Sequence, residues 1–407
     1  MLACAIDTAT DDAMLMTGNE RSDDGTVAPP DLAERLSPVL PLIARLVPEA
    51  NERRDIPAET IEALRRSDLI RLFQPRRWGG FEADPRSFYA LQNQIAEVCG
   101  STAWVYGVLS VQAFVVALFD EDAQADVWEE DPRALVCSSF APVGSAVPVE
   151  GGYRLSGRWS FSSGSSHAGW ALLGAKLSAP DGRPGGIPLF LVPRADFAIA
   201  DVWNTFGLRG TGSNDIVAQD IFVPRHRSLT LDPGIQNRRS EHRPGPPLYR
   251  MPWLYLFASS ISNWAVGAAR GALDGFLDVT RARVSPLSGK VAREDPAAQQ
   301  AAARLLAEID SIEAMYDRHI ALLQRHVAAD TVLPMRDAWL CRSQLTSALR
   351  RLTACVDALM LLQGARAIDL ASPVARAWLD LSAARAHIGN DPTIATTMLG
   401  AELIGTP

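Results

Sequence analysis

The chain has 407 residues, 47% of them hydrophobic, enough for a large core divided over two or three domains. Its formal net charge is −8 and no basic stripe runs through it, which argues against nucleic acid as a partner. No stretch reaches the roughly 18 uninterrupted apolar residues of a membrane span, and an N-terminus bearing Asp7, Asp11 and Asp12 is no signal peptide, so the expected location is the cytoplasm.

Residues 1–28 are polar and acidic, and are expected to be a disordered tail. Residues 29–131 read as an all-α domain. Leu32, Leu36, Leu40, Ile43 and Leu46 recur at helical spacing, and Pro57 with Glu59 opens a further helix. Ser101–Phe119 is apolar all round, which predicts a helix buried on most sides. Residues 132–228 change character: short β-rich runs are separated by turns such as Gly151-Gly152, Asp181-Gly182 and Gly185-Gly186. Residues 229–248 read as a surface loop. From 249 to 407 the pattern is helical again, with helices expected near 257–284, 296–328, 334–364, 373–388 and from 392. Four long amphipathic helices in sequence argue a bundle.

Five cysteines (Cys4, Cys99, Cys137, Cys341, Cys355) are scattered without C-x-x-C spacing and read as reduced, mostly buried thiols. No metal-ligand cluster is visible. The most informative segment is G-R-W-S-F-S-S-G-S-S-H-A-G-W at 157–170. Its period-2 alternation predicts a strand with Trp159 and Phe161 on one face. Ser162, Ser163 and Gly164 then present small hydroxyls and backbone N–H groups. Such an edge suits a flat, electron-rich ring; a buried strand ending in a Ser/Gly turn is the plain alternative.

Eight motifs in order carry a resemblance. They are Q-P to W-G-G at 74–80, C-G-S-T-A-W at 99–104, E-D-P at 130–132, G-R-W-S-F-S-S-G, G-L-R-G-T-G-S-N at 207–214, V-P-R-H-R at 223–227, Y-R-M-P-W at 249–253 and A-H-I-G-N-D-P at 386–392. Together they resemble the acyl-CoA dehydrogenase superfamily. Within it the chain is similar to the oxygenase components of two-component flavin-dependent monooxygenases, among them the p-hydroxyphenylacetate and secosteroid hydroxylases.

The resemblance implies an α+β fold: an N-terminal helical domain, a central β-barrel-like domain and a C-terminal four-helix bundle. It implies reduced flavin (FADH2 or FMNH2) and O2, with a C4a-hydroperoxyflavin transferring oxygen to an aromatic, phenolic or polycyclic, substrate. Oxidation of nitrogen, sulfur or an indole is the alternative, and an acyl-CoA dehydrogenase a second. A dehydrogenase needs a carboxylate base, but the corresponding stretch R-A-H-I-G-N-D holds no Glu. His387 stands there, and the resemblance gives it the base role toward a phenol; a charged histidine favoured near a helix C-terminus is the other reading.

By the same resemblance Ser163, with Ser162 as the alternative, hydrogen-bonds flavin N5. Trp104 and Ser138 are further cofactor contacts, and Trp159 and Phe161 pack at the ring or simply in the core. Arg281 or Arg283 meets the flavin phosphates, and Gln363 and Gly364 meet the flavin tail from a neighbouring subunit of a homotetramer. Arg209 and Ser213 line an entrance or form a structural turn. Gln112 stands where relatives carry a histidine, so it bears on substrate choice. His167 is expected to be structural, and His226, His242, His319 and His326 to be surface residues. No G-x-G-x-x-G nicotinamide fingerprint follows a strand, which fits a separate NAD(P)H:flavin reductase as partner.

Overall fold

The computed structural model describes residues 32–177, 187–231, 245–284, 289 and 291–405. The expected tail, the turns at 181–186, His242 and most of the 229–248 loop lie outside the described residues.

The N-terminal helices are α1 (Leu32–Leu36), α2 (Leu40–Arg53), α3 (Ala58–Arg66), α4 (Pro85–Val98), α5 (Gly100–Val116) and α6 (Glu121–Trp128). Asp84 starts α4 by accepting the Arg86 N–H at 2.8 Å, with Pro85 at the first helical position. Every residue of α5 except Ala113 is buried, as its unbroken apolar sequence demands. It runs through the middle of the molecule, against α4 on one side and the sheet on the other.

The strands are β1 (Val136–Val149), β2 (Gly152–Ser162), β3 (Trp170–Leu177), β4 (Ile187–Pro193), β5 (Ala198–Ala200), β6 (Asn214–Pro224) and β7 (Ser228–Leu231). They form one sheet in the order β5-β6-β2-β1-β3-β4-β7. Only β1 and β3 are parallel neighbours; the other pairs are antiparallel. The sheet curls until β4 touches β6 across the three strands between them. That is the barrel-like shape, left open at edges β5 and β7. Strand β7 pairs with β4 and carries the sheet to Leu231, past the expected boundary at 228.

The C-terminal helices are α7 (Trp253–Ser260), α8 (Trp264–Ala282), α9 (Pro296–Ala329), α10 (Met335–Gln363), α11 (Pro373–Ala384) and α12 (Pro392–Ile404). The single helix expected over 257–284 is thus two. Ser259, Ser260 and Ser262 bond back to carbonyls three or four residues earlier, and this competition with the backbone breaks the helix at Ile261–Asn263. Likewise α11 stops at Ala384, four residues before the expected end, which leaves His387 in the connection to α12. No described helix is long and apolar enough to cross a membrane.

Candidate active site

The site forms where α5, the ends of β1 and β2, and the α11–α12 connection meet. Trp104, Val108 and Gln112 are spaced by four and share one face of α5. Trp104 donates its indole N–H to Ser163 Oγ at 2.9 Å. Eight residues on, Gln112 Nε2 donates to Ser138 Oγ at 3.0 Å. The α5 stripe is thereby stitched to β2 at one end and β1 at the other. Gln112 Oε1 is buried and has no partner, so the site holds an unused acceptor. Phe140, two residues after Ser138 on the strand, sits edge-on to Trp253 and Phe257 of α7, with centroids 5.6 and 4.9 Å away.

The two serines have different surroundings. Ser162 is fully buried, and its hydroxyl donates to the Ser138 carbonyl at 3.3 Å. Ser163 keeps 8% of its surface and shares a 2.8 Å bond with Ser213 Oγ. The turn that follows abuts α5, because a Cβ at Gly164 would lie 3.1 Å from Val105; its φ of +69° also suits glycine.

The expectation that Trp159 and Phe161 share a face is corrected by the structure. A register shift lies between Trp159 and Ser162, and Phe161 adopts φ +64°. The extra residue turns Phe161 out to 70% exposure, while Trp159 stays fully buried. Its indole N–H is bound to the Gly174 carbonyl at 2.6 Å, and its ring lies against Gly144 and Gly157. Trp159 is therefore a core residue, not a cofactor contact.

His387 stands edge-on to Trp104, with ring centroids 5.5 Å apart. Its Nδ1 accepts the Gly389 N–H at 2.9 Å, so the neutral ring carries its proton on Nε2. Glycine suits this close turn: a Cβ at 389 would lie 2.3 Å from the Ile261 side chain and 2.9 Å from His387 Nδ1. Arg342 of α10 donates to the Gly389 carbonyl and has a further buried N–H without a partner. Burial, followed by the Arg342 charge, pushes the His387 imidazole down to about 4. The residue is thus neutral, and the charged helix-end reading does not hold. Sequence reasoning missed Arg342. The signal was present, because residue 342 falls on the α10 face of Ala338, Leu345 and Leu349, where an arginine is out of place.

The remaining expected residues divide into two further groups. Arg283 donates to the Leu362 and Gln363 carbonyls at 3.1 and 3.2 Å, beside the turn at Gly364. Gln363 Nε2 is a buried donor without a partner. Arg281 points away and meets Asp278 at 3.5 Å. Arg209 lines a separate cavity of about 850 Å³ with Asp380 and Arg376, and none of the residues around His387 borders it. Its guanidinium is engaged by the Asn51 and Thr205 carbonyls.

His167 bonds Asp55 at 3.2 Å and ties the sheet to the region between α2 and α3. His319 is no surface residue: it is 1% exposed, between Tyr255 at 2.9 Å and Gln344 at 2.8 Å, and burial pushes it down to about 4. Asp391, the carboxylate nearest His387 in sequence, caps α12 through the Thr393 N–H at 2.9 Å. It is not placed as a base.

The serine edge at 162–163 and the aromatic wall of Trp104 fit a flat heteroaromatic cofactor with polar edges, and the buried, unpaired Gln112 Oε1 leaves an acceptor beside them. A helical domain, a curled sheet and a helical bundle arranged this way define an acyl-CoA dehydrogenase-like protein. Residues 259–392 match the family described as acyl-CoA dehydrogenase, C-terminal domain. The particular branch follows from full-length relatives. The chain is 37% identical over 382 residues to the flavin-dependent monooxygenase, oxygenase subunit HsaA, of Rhodococcus jostii, covering 92% of this chain and 98% of that one. It is 36% identical over 391 residues to the FADH(2)-dependent resorcinol hydroxylase, oxygenase component, of a Rhizobium species, covering 92% and 94%. The solved structure of XiaF from Streptomyces in complex with FADH2 and glycerol superposes with a TM-score of 0.87 at 28% identity, covering 93% and 96%. The chain belongs to the oxygenase components of flavin-dependent monooxygenases. It uses reduced flavin and O2, and a separate reductase supplies the flavin.

Proposed function

We propose that this oxygenase component hydroxylates a phenolic or polycyclic aromatic substrate at the site formed by Trp104, Gln112, Phe140 and His387. Reduced flavin, when bound, supplies the activation of O2. Ser163, with Ser162 behind it, holds the flavin N5 edge, and Ser138 and Phe161 are further contacts. Arg283 and Gln363–Gly364 of a neighbouring copy hold the flavin tail in a homotetramer, with Arg281 the less suited arginine. Buried Gln112 Oε1 accepts a hydrogen bond from the substrate.

His387 handles the substrate hydroxyl. As a base it takes the proton on Nδ1 and gives up the Gly389 N–H. As a neutral donor it holds the phenol oxygen through Nε2–H. The observation that carries the proposal is a neutral imidazole beside Trp104, in a stretch without a carboxylate placed to take an α-proton. The Rhizobium relative is named for an aromatic substrate, resorcinol, and the free, buried Cys99, Cys137, Cys341 and Cys355 suit the cytoplasm.

The test is a panel of monocyclic and polycyclic phenols, amines and indoles supplied with FADH2 or FMNH2 from a flavin reductase, with product and H2O2 both measured. Hydroxylated phenol is the expected product. Oxidation only of amines or indoles would replace the substrate class. Reduction of the flavin-loaded protein by an acyl-CoA would replace the reaction.

A further inference from the structure

Trp104 Nε1, Ser163 Oγ, Ser213 Oγ, Thr211 Oγ1 and the Leu208 carbonyl form a continuous line, with successive separations of 2.9, 2.8, 2.7 and 2.9 Å. The two ends fix its direction. An indole N–H can only donate and a carbonyl can only accept, and each hydroxyl has one proton to give. Ser163 therefore accepts from Trp104 and donates to Ser213, Ser213 donates to Thr211, and Thr211 donates to Leu208.

The line is sealed and anchored. Ser163, Ser213 and Thr211 are 8%, 4% and 1% exposed. Asp380 Oδ1 holds the Leu208 N–H at 2.6 Å, and Ser101 Oγ holds the Gly210 N–H at 3.2 Å, so the loop that ends the line is pinned on both sides. Ser163 is left with one free lone pair and no free proton. Toward any ligand it is an acceptor.

We propose that Ser213 and Thr211 are positioning residues that hold the Ser163 hydroxyl in an accepting orientation, so that the site selects reduced flavin over oxidised flavin. Reduced flavin carries hydrogen on N5 and donates there; oxidised flavin has a bare N5 that only accepts. An acceptor-only Ser163 pairs with the first and opposes the second. For a protein that must take a diffusible cofactor in one redox state, the loop 207–213 is thus the filter. The inference rests on the reading of Ser163 as the N5 contact.

Its test is the ratio of dissociation constants for oxidised and reduced flavin, measured anaerobically on the apoprotein and its variants. Ser213→Ala frees the Ser163 proton to swing toward N5. The ratio should move about tenfold in favour of oxidised flavin, the magnitude of one neutral hydrogen bond. The share of O2 released as H2O2 should rise. Ser213→Thr, which keeps the hydroxyl, should restore the ratio. If Ser213→Ala does not fold, Thr211→Val removes the next acceptor and should move the ratio the same way by about threefold.

An unchanged ratio in a folded Ser213→Ala protein overturns the inference. Ser163→Ala separates the causes. If it shifts the ratio while Ser213→Ala does not, the line has no role and the N5 contact stands. If neither shifts it, the N5 assignment falls too.

Discussion

His387 shows how neighbours decide what a side chain can do. An isolated imidazole divides between two states near neutral pH. Here burial and Arg342 push it down to about 4, so it is neutral across the physiological range. We predict that the coupling of hydroxylation to O2 use is flat in His387 protonation above about pH 5 and fails as the pH falls through about 4. Arg342→Met removes the nearby positive charge and should move that acid limb upward; a pH profile of product formed per O2 consumed checks this. A limb that stays in place would remove Arg342 from the account.

The same shift has a stability consequence with a definite sign. Between about 4 and 6.5 the native state binds fewer protons than the unfolded chain, so the contribution is full above 6.5 and is lost as the pH falls toward 4. For deeply buried His319 the drop from 6.5 to about 4 corresponds to on the order of 3 kcal/mol, at about 1.4 kcal/mol per pH unit. His387 keeps accessible surface and contributes less.

At this scale the sequence was legible where a motif marks a position. Ser138, Ser163, Trp104, Gln112 and His387 were all singled out, and the structure gathers them. Their partners were not. Ser163 meets Ser213 across 50 residues, and nothing local predicts which hydroxyls of a Gly-rich loop face inward.

Among elements, β2 is the one whose local rule breaks. Alternation puts Trp159 on the buried face correctly, and the irregularity that follows overturns it at Phe161. A non-glycine residue at φ +64° costs about 1 kcal/mol, and 70% exposure returns little of that through packing. Phe161→Gly should therefore raise the midpoint of thermal unfolding, by an amount equivalent to about 1 kcal/mol. Should the same variant bind flavin more weakly, the strained ring serves the cofactor. A variant both no more stable and no weaker in binding would remove the strain argument.

The helix boundaries failed for a related reason. Apolar periodicity runs through Ile261 without interruption, and only the serine hydroxyls reveal the break between α7 and α8. That break lets Ile261 reach the Gly389 turn, so a missed boundary was also a missed piece of the site.

Over the whole molecule, the order helices, sheet, helices was readable because each region keeps one period for nearly a hundred residues or more. What the sequence did not show is how unevenly apolar side chains are distributed. Leu361, Ile368, Leu370, Ile388, Ile394, Met398, Leu403 and Ile404 are all exposed, and all lie between residues 361 and 404. Soluble monomers seldom present so much apolar surface in one region. The same stretch carries Gln363 and Gly364, which the proposed function assigns to a neighbour's flavin. We predict that Leu403→Asp together with Ile394→Asp lowers the oligomeric state in light scattering and weakens flavin binding in parallel. Loss of assembly with flavin affinity intact would place the flavin within a single copy.

The indole of Trp104 borders both His387 and Ser163. On the proposed function, one wall is therefore common to the compartment for the molecule being oxidised and the compartment for the reagent that oxidises it. Enlarging that wall for a bulkier guest would loosen the grip on the reagent at the same stroke, and peroxide would leak. Four residues further along the same helix face stands Val108, between Trp104 and Gln112, whose amide holds Ser138. For anyone refitting this catalyst to new aromatic compounds, Val108 is the position on that stripe that carries no hydrogen bond to the sheet.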